Sequence, residues 1–233
     1  MLYLKDSYKK VFDADINEVL ESKKIVLDRT YFYYQSGGQP SDKGTIIHNN
    51  KEYQVLDVKK EDGKIIHTLD QEGLKVNDLV KCKIDWTRRH KLMRMHTTAH
   101  ILSAIIHKET GAMITGNQLD EEKSRIDFSL DDFKKELFEK YVEEANEEIK
   151  KDHKITIKTI SKEEAEKIPN LSRLAKGLPP GLKEIRMVKI GTIDEQADGG
   201  THVSSTKEIG KIKLISIENK GKSNRRIYFS LED

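Results

Sequence analysis

Residues 87–108 read TRRHKLMRMHTTAHILSAIIHK, and this stretch divides the chain into two kinds of sequence. From Arg88 onward Leu92, Met95, Ala99, Leu102 and Ile106 recur every three or four positions, the spacing that lines one side of an α-helix. Gly111 follows as a stop signal. Upstream, short β-prone pieces at 24–27, 45–47, 53–58, 64–69 and 73–86 alternate with turn signals such as Asn49–Asn50 and Glu61–Asp62–Gly63. The aromatic run Tyr31–Phe32–Tyr33–Tyr34 reads as a further strand. Strands this short and close together predict a small barrel or sandwich, and the expectation carried forward is the barrel. Downstream, 114–119 and 124–128 read as extended and 131–152 as a second helix, with Phe133, Leu137, Tyr141, Ala145 and Ile149 repeating near every fourth residue. A strand at 155–160, a short helix at 161–168 capped by Ser161, an interruption at Leu178–Pro179–Pro180–Gly181, and strands at 186–193, 200–203, 211–218 and 225–231 complete the pattern. The fold class is therefore α+β: an N-terminal small β-barrel over 1–87, then an α+β domain over 88–233 whose sheet is packed by the two long helices.

Composition removes several classes. Of 233 residues, 36% are hydrophobic and 35% charged, and the 42 basic and 40 acidic side chains nearly cancel, so a chain this apolar is not disordered by charge. No run approaches the ~18 uninterrupted apolar residues of a bilayer span, so no membrane partner is expected. Lys5, Asp6, Lys9 and Lys10 with no apolar segment behind them argue against secretion. The single cysteine, Cys82, rules out an internal disulfide framework and reads as a small buried hydrophobe in a reducing, cytoplasmic setting. Arg88, Arg89, His90, Lys91 and Arg94 form one basic stretch and Lys220, Lys222, Arg225 and Arg226 another; each suits either phosphate neutralisation or a solvated face.

Two segments carry metal-site chemistry. In His96–Thr97–Thr98–Ala99–His100 the two imidazoles lie one helical turn apart on the same side, within reach of one ion. The glutamate base of a metallopeptidase H-E-x-x-H is missing, since Thr97 follows His96. In Asp198–Gly199–Gly200–Thr201–His202 a carboxylate and an imidazole flank a glycine turn. Three histidines and a carboxylate satisfy zinc. A helical His pair and a plain tight turn are the structural alternatives.

These residues resemble the alanyl-tRNA synthetase editing-domain family. His96–Thr97–Thr98–Ala99–His100 is similar to its HxxxH motif, Ala197–Asp198–Gly199–Gly200–Thr201–His202–Val203 to its C-G-G-T-H-V segment, and Thr206–Lys207–Glu208–Ile209–Gly210 to the T-x-E-I-G that follows. Thr30–Tyr31–Phe32–Tyr33 and Gly37–Gly38–Gln39–Pro40–Ser41–Asp42–Lys43–Gly44 resemble the T-x-F-Y and G-G-Q-x-x-D-x-G motifs, and Arg125–Ile126–Asp127–Phe128 a further shared piece. The motifs keep the family's order over about residues 28–210, and no segment resembles the ATP motifs of an aminoacylation domain, so the resemblance is to the free-standing, medium-length editing proteins.

The resemblance implies a zinc-dependent hydrolase that deacylates tRNA(Ala) mischarged with serine or glycine. It implies metal ligands His96, His100 and His202, with Asp198 standing where the family has cysteine. Either Asp198 is a fourth, weaker ligand, or the ion has three histidines and an open position, the version favoured at this level. Thr30 would meet the serine hydroxyl, Gly37, Gly38 and Gln39 the substrate, and Arg88, Arg89 and Arg125 the tRNA phosphates. Two rival readings are a non-catalytic tRNA-binding module with structural zinc and an editing domain for another tRNA, such as that for threonine. The sequence fixes no oligomeric state.

Overall fold

The computed structural model describes residues 1–131, 134–165, 167–168, 171–174 and 184–232. Its internal contacts divide the chain into two units, Met1–Leu92 and Met93–Asp233.

In the first unit six strands close into a barrel: β1 (Val11–Leu20), β2 (Lys24–Leu27), β3 (Gly44–His48), β4 (Lys51–Glu61), β5 (Lys64–Leu69) and β6 (Leu79–Ile84), in the order β1-β2-β5-β4-β3-β6. Every pairing is antiparallel, and β6 closes the barrel by pairing with both β1 and β3. Closure leaves no strand edge open to another chain. Alternation explains the filling: in β6, Val80, Cys82 and Ile84 are buried while Leu79, Lys81 and Lys83 are exposed. Phe12, Ala14 and Ile16 do the same in β1, joining Ile25, Ile46, Val55, Val58 and Leu69 in one core. Gly44 is obligatory, because a Cβ there would sit 2.1 Å from the Lys83 carbonyl oxygen across the β3–β6 pairing.

Not every expectation for this unit holds. Tyr31–Phe32–Tyr33–Tyr34 is irregular rather than a strand, although Phe32 and Tyr33 are buried. Its amides bond elsewhere: Phe32 N–H to Thr30 Oγ1 at 3.1 Å, and Tyr33 N–H to Asp42 Oδ2 at 2.5 Å. Residues 73–78 likewise precede β6 without being strand.

Helix α1 (Trp86–Thr110) begins in the first unit, where the Asp85 side chain accepts the Arg88 N–H at 3.1 Å and caps it. It ends at Gly111, whose φ of +72° and N–H bond to the His107 carbonyl at 2.7 Å supply the predicted stop. Its middle is buried on almost every side, Met93, Ile101 and Ile105 as well as the predicted Met95, Ala99, Leu102 and Ile106.

Among its described residues the second unit holds two sheets where one was expected. One is β12-β13-β8-β7, formed by β7 (Ile114–Gln118), β8 (Ser124–Phe128), β12 (Lys211–Asn219) and β13 (Arg225–Glu232). The other is β11-β10-β9, from β9 (Ile155–Ser161), β10 (Glu184–Ile190) and β11 (Asp194–Ala197). Helix α2 (Lys135–Lys150) buries Phe138, Tyr141, Val142, Ala145 and Ile149, and Asn146 bonds both backbone groups of Ile212 on β12. It starts four residues later than predicted; Phe133 and the Leu178–Pro179–Pro180–Gly181 break lie outside the described residues. Helix α3 (Lys162–Ala165) is capped by Ser161 as expected, with Glu164 N–H donating to Ser161 Oγ at 3.2 Å. Residues 200–203 are loop rather than strand. Among the described residues no helix is long and apolar enough to cross a membrane.

Candidate metal centre

Within the second unit, α1 presents His96 and His100 one turn apart, and the loop after β11 brings Asp198 and His202 to them. That loop is pinned at Asp198. Its N–H donates to the Arg186 carbonyl at 3.0 Å, and its own carbonyl accepts from Arg186 Nη1 at 2.9 Å. Its carboxylate then takes the Gly200 N–H at 2.6 Å, closing the turn. The three imidazole centroids are 4.5 to 5.3 Å apart, and one ligand atom from each of the four residues falls within 4.8 Å of the others. Asp198 Oδ1 lies 3.4 Å from His96 Nε2 and 3.7 Å from His100 Nε2, and its Oδ2 lies 2.9 Å from His202 Nε2. Donors about 2.0–2.1 Å from a tetrahedral zinc stand roughly 3.3 Å from one another, so these are the spacings of a ligand shell.

Hydrogen bonding settles which ring atoms face inward. The Thr97 hydroxyl gives its proton to the Met93 carbonyl at 2.9 Å, so its oxygen accepts from His202 Nδ1, 3.1 Å away. His100 Nδ1 faces Asp194 Oδ2 at 2.9 Å, an acceptor, and must carry the proton. Both rings therefore turn Nε2 toward the cluster, and that of His202 presents a lone pair. An Nε2 lone pair and a carboxylate oxygen at 2.9 Å are two acceptors in contact, an arrangement that only a cation or proton relieves. The donor set, three imidazoles and one carboxylate, fits zinc.

The charges agree. Burial opposes ionisation of Asp198, yet the adjacent His96, His100 and His202 rings hold its carboxyl well below the usual range. Burial holds His202 down at about 3, whereas for His100 the bonds to Asp194 and Asp198 outweigh burial and lift it to about 9.

The remaining predicted residues are placed as follows. In the first unit, Ser36 and Gln39 close a turn through backbone bonds of 3.1 and 2.9 Å, with Gly37 and Gly38 at φ +57° and +84°. Two successive positive φ values are those of a type I′ turn, which explains both glycines. Gln39 is fully buried. Buried Thr30 accepts the Phe32 N–H and lies 3.0 Å from His67 Nε2. Half-buried Arg88 donates to the Ser41 carbonyl at 3.1 Å. Arg89 corrects the expectation of a phosphate contact: it is 0% exposed and ion-paired with Asp42, the aspartate of the glycine-rich motif. In the second unit, Arg125 is partly exposed on β8 and bonds Asp127 at 2.9 Å. Arg225, from the second basic stretch, is also buried, donating to the carbonyls of Gly221 and Asn224. Sequence reading missed Asp194, Arg173 and the orienting role of Thr97, which carry no motif spacing of their own.

Comparison with known proteins places this geometry. A family model described as the threonyl and alanyl tRNA synthetase second additional domain matches residues 185–228. A second, described as tRNA synthetases class II (A), matches residues 4–88. The alanyl-tRNA editing protein AlaX-M of Methanosarcina barkeri is 47% identical, with 100% of this chain and 98% of that protein aligned. The AlaX-M proteins of Methanosarcina mazei and Saccharolobus solfataricus are 46% and 42% identical, each over at least 96% of both chains. The chain belongs to the family of alanyl-tRNA editing proteins.

Proposed function

We propose that the protein is a trans-acting, cytoplasmic aminoacyl-tRNA deacylase that hydrolyses the ester joining serine or glycine to tRNA(Ala), with zinc on His96, His100, His202 and Asp198. The observation that carries this reading is the convergence of three imidazoles and one carboxylate within 4.8 Å. A synthetase pocket shaped for alanine discriminates by only ~1–3 kcal/mol against one extra hydroxyl or one missing methyl, so a second, hydrolytic site is needed. When bound, the zinc supplies Lewis-acid polarisation of an ester carbonyl or a water.

The chain's own residues do the rest. Thr97 and Asp194 hold His202 and His100 with their Nε2 atoms inward. Thr30, already accepting one N–H and bonded to His67, has one hydrogen-bonding position left for a ligand hydroxyl, which serine offers and glycine does not. On the motif resemblance Gly37, Gly38 and Gln39 contact the substrate. Arg88 and Arg125 meet tRNA phosphates by charge and shape, while Arg89 is buried against Asp42. The proposed division of labour is a glycine-rich barrel domain over 1–87 and a deacylase domain over 88–233.

One observation favours the rival reading of a non-catalytic tRNA-binding module: Asp198 stands at ligand spacing, and a closed four-donor shell is typical of structural zinc. Deacylation of Ser-tRNA(Ala) and Gly-tRNA(Ala) by purified protein, with and without chelator, decides between them. Turnover lost on chelation and restored by zinc is expected. A zinc-loaded protein that releases neither amino acid would overturn the enzymatic reading.

A further inference from the structure

We infer that Asp194, tethered by Arg173, is a positioning residue that makes His100 a more firmly held metal donor than His202. The inference rests on the proposal that the cluster binds a metal, and concerns two residues outside both histidine motifs.

Asp194 opens β11 and pairs with Ile190 across the hairpin. Along β11, Asp194 and Gln196 are buried while Glu195 and Ala197 are half-buried, so the strand sends polar side chains inward. A carboxylate only 1% exposed is costly unless each oxygen is matched. Both are matched: Oδ2 lies 2.9 Å from His100 Nδ1, and Oδ1 accepts from Arg173 Nη1 at 2.6 Å. The same guanidinium reaches back to α1, donating through Nη2 to Ser103 Oγ at 3.2 Å and to the His100 carbonyl at 3.4 Å. Arg173 is itself fixed, its N–H on Gln196 Oε1 at 2.8 Å and its carbonyl accepting from Ile114 at 2.8 Å. One closed circuit thus runs from the His100 ring through Asp194 and Arg173 to the His100 backbone.

Such a circuit constrains the ring about both torsions, fixes the proton on Nδ1 and places an anion behind the donor nitrogen. A carboxylate behind a ligating imidazole raises its basicity as well as orienting it. His202 is held differently, by the neutral Thr97 hydroxyl. Two histidines of one cluster therefore have unequal support, and His100 has the stronger.

The test uses full-length protein and reads zinc itself. Zinc dissociation constants are measured by competition with a chromophoric chelator for wild type, Asp194→Ala and Asp194→Asn, with far-ultraviolet circular dichroism of each metal-free protein. Cobalt(II) absorption then reports donor geometry. Asp194→Ala is expected to bind zinc ten- to a hundredfold more weakly with an altered cobalt spectrum. Asp194→Asn, which keeps an acceptor for Nδ1–H but loses the charge, is expected to fall between. If Asp194→Ala does not fold, the asparagine variant carries the test. A folded variant with wild-type zinc affinity and an unchanged cobalt spectrum would overturn the inference. Wild-type protein that binds no zinc would instead overturn the metal reading beneath it.

Discussion

Replacing Arg89 by methionine tests whether that arginine builds the fold or touches RNA. Its guanidinium is 0% exposed and donates to Asp42 through Nε at 2.8 Å and through Nη2, to the Ser7 carbonyl at 2.8 Å and to the Tyr31 carbonyl at 2.6 Å. Methionine fills much of the same space but strands the Asp42 carboxylate, which keeps the Tyr33 N–H at 2.5 Å. Removing one member of a buried ion pair costs about 3–5 kcal/mol. Against the roughly 5–15 kcal/mol that holds a domain folded, that is about a fifth or more of the total. Adding Asp42→Asn removes the stranded charge and keeps an oxygen for Tyr33, so the double variant should recover about 1–3 kcal/mol of the loss. Urea unfolding followed by circular dichroism, extrapolated linearly to water, measures both values. In parallel, the salt dependence of tRNA binding by the folded fraction should keep its wild-type slope, because a buried arginine releases no counterion. An Arg89→Met protein within about 1 kcal/mol of wild type, with a salt slope shallower by about one charge, would show that the guanidinium serves phosphate instead.

Burial depresses His67 to about 4 from its usual 6.5. The unfolded chain then takes the proton first as pH falls, so the stabilisation present above 6.5 is lost toward 4: about 2 kcal/mol by pH 5 and about 3 in full. His67→Gln should remove that part of the pH slope in urea unfolding; superimposable slopes would refute the assignment. Gly44→Ala drives a Cβ against the Lys83 carbonyl and should cost at least about 1–3 kcal/mol in thermal melts, with an unchanged melting temperature counting against the barrel register. Asp198→Ala should weaken zinc binding and Asp198→Cys should retain it, by chelator competition; unchanged affinity in the alanine variant would leave a three-histidine site. Thr30→Val should lose deacylation of Ser-tRNA more than of Gly-tRNA, and an unaltered ratio removes Thr30 from specificity.

What could be read in advance follows a physical rule. Helix α1, its Gly111 stop and the inward residues of β6 were legible because apolar periodicity and turn chemistry agree there. Strand β1 was overlooked although Phe12, Ala14 and Ile16 alternate with polar neighbours, so the signal was present. The Tyr31–Tyr34 run misled because aromatic β-preference reflects packing, and here rings pack while the amides bond to side chains. Strand β11 was invisible for the opposite reason: its inward residues, Asp194 and Gln196, are polar, so hydrophobic alternation disappears where the strand supports the histidine–aspartate cluster. Of that cluster, the four converging residues lay in two recognisable motifs. The groups that orient them are set by tertiary contact alone, as is the buried Asp42 that claims Arg89.

The substitution at position 198 reaches beyond affinity. With a carboxylate where the family motif that this segment resembles has cysteine, the converging donors are nitrogen and oxygen only. The chain's one thiol, Cys82, is sealed inside the barrel, where burial pushes it well above the range of a reactive thiolate. Peroxide or a nitrosating agent, which would strip a thiolate-held ion by forming a sulfenate or an S-nitrosothiol, finds no such atom in this cluster. A metal held by these four donors would have no sulfur ligand to lose to oxidation.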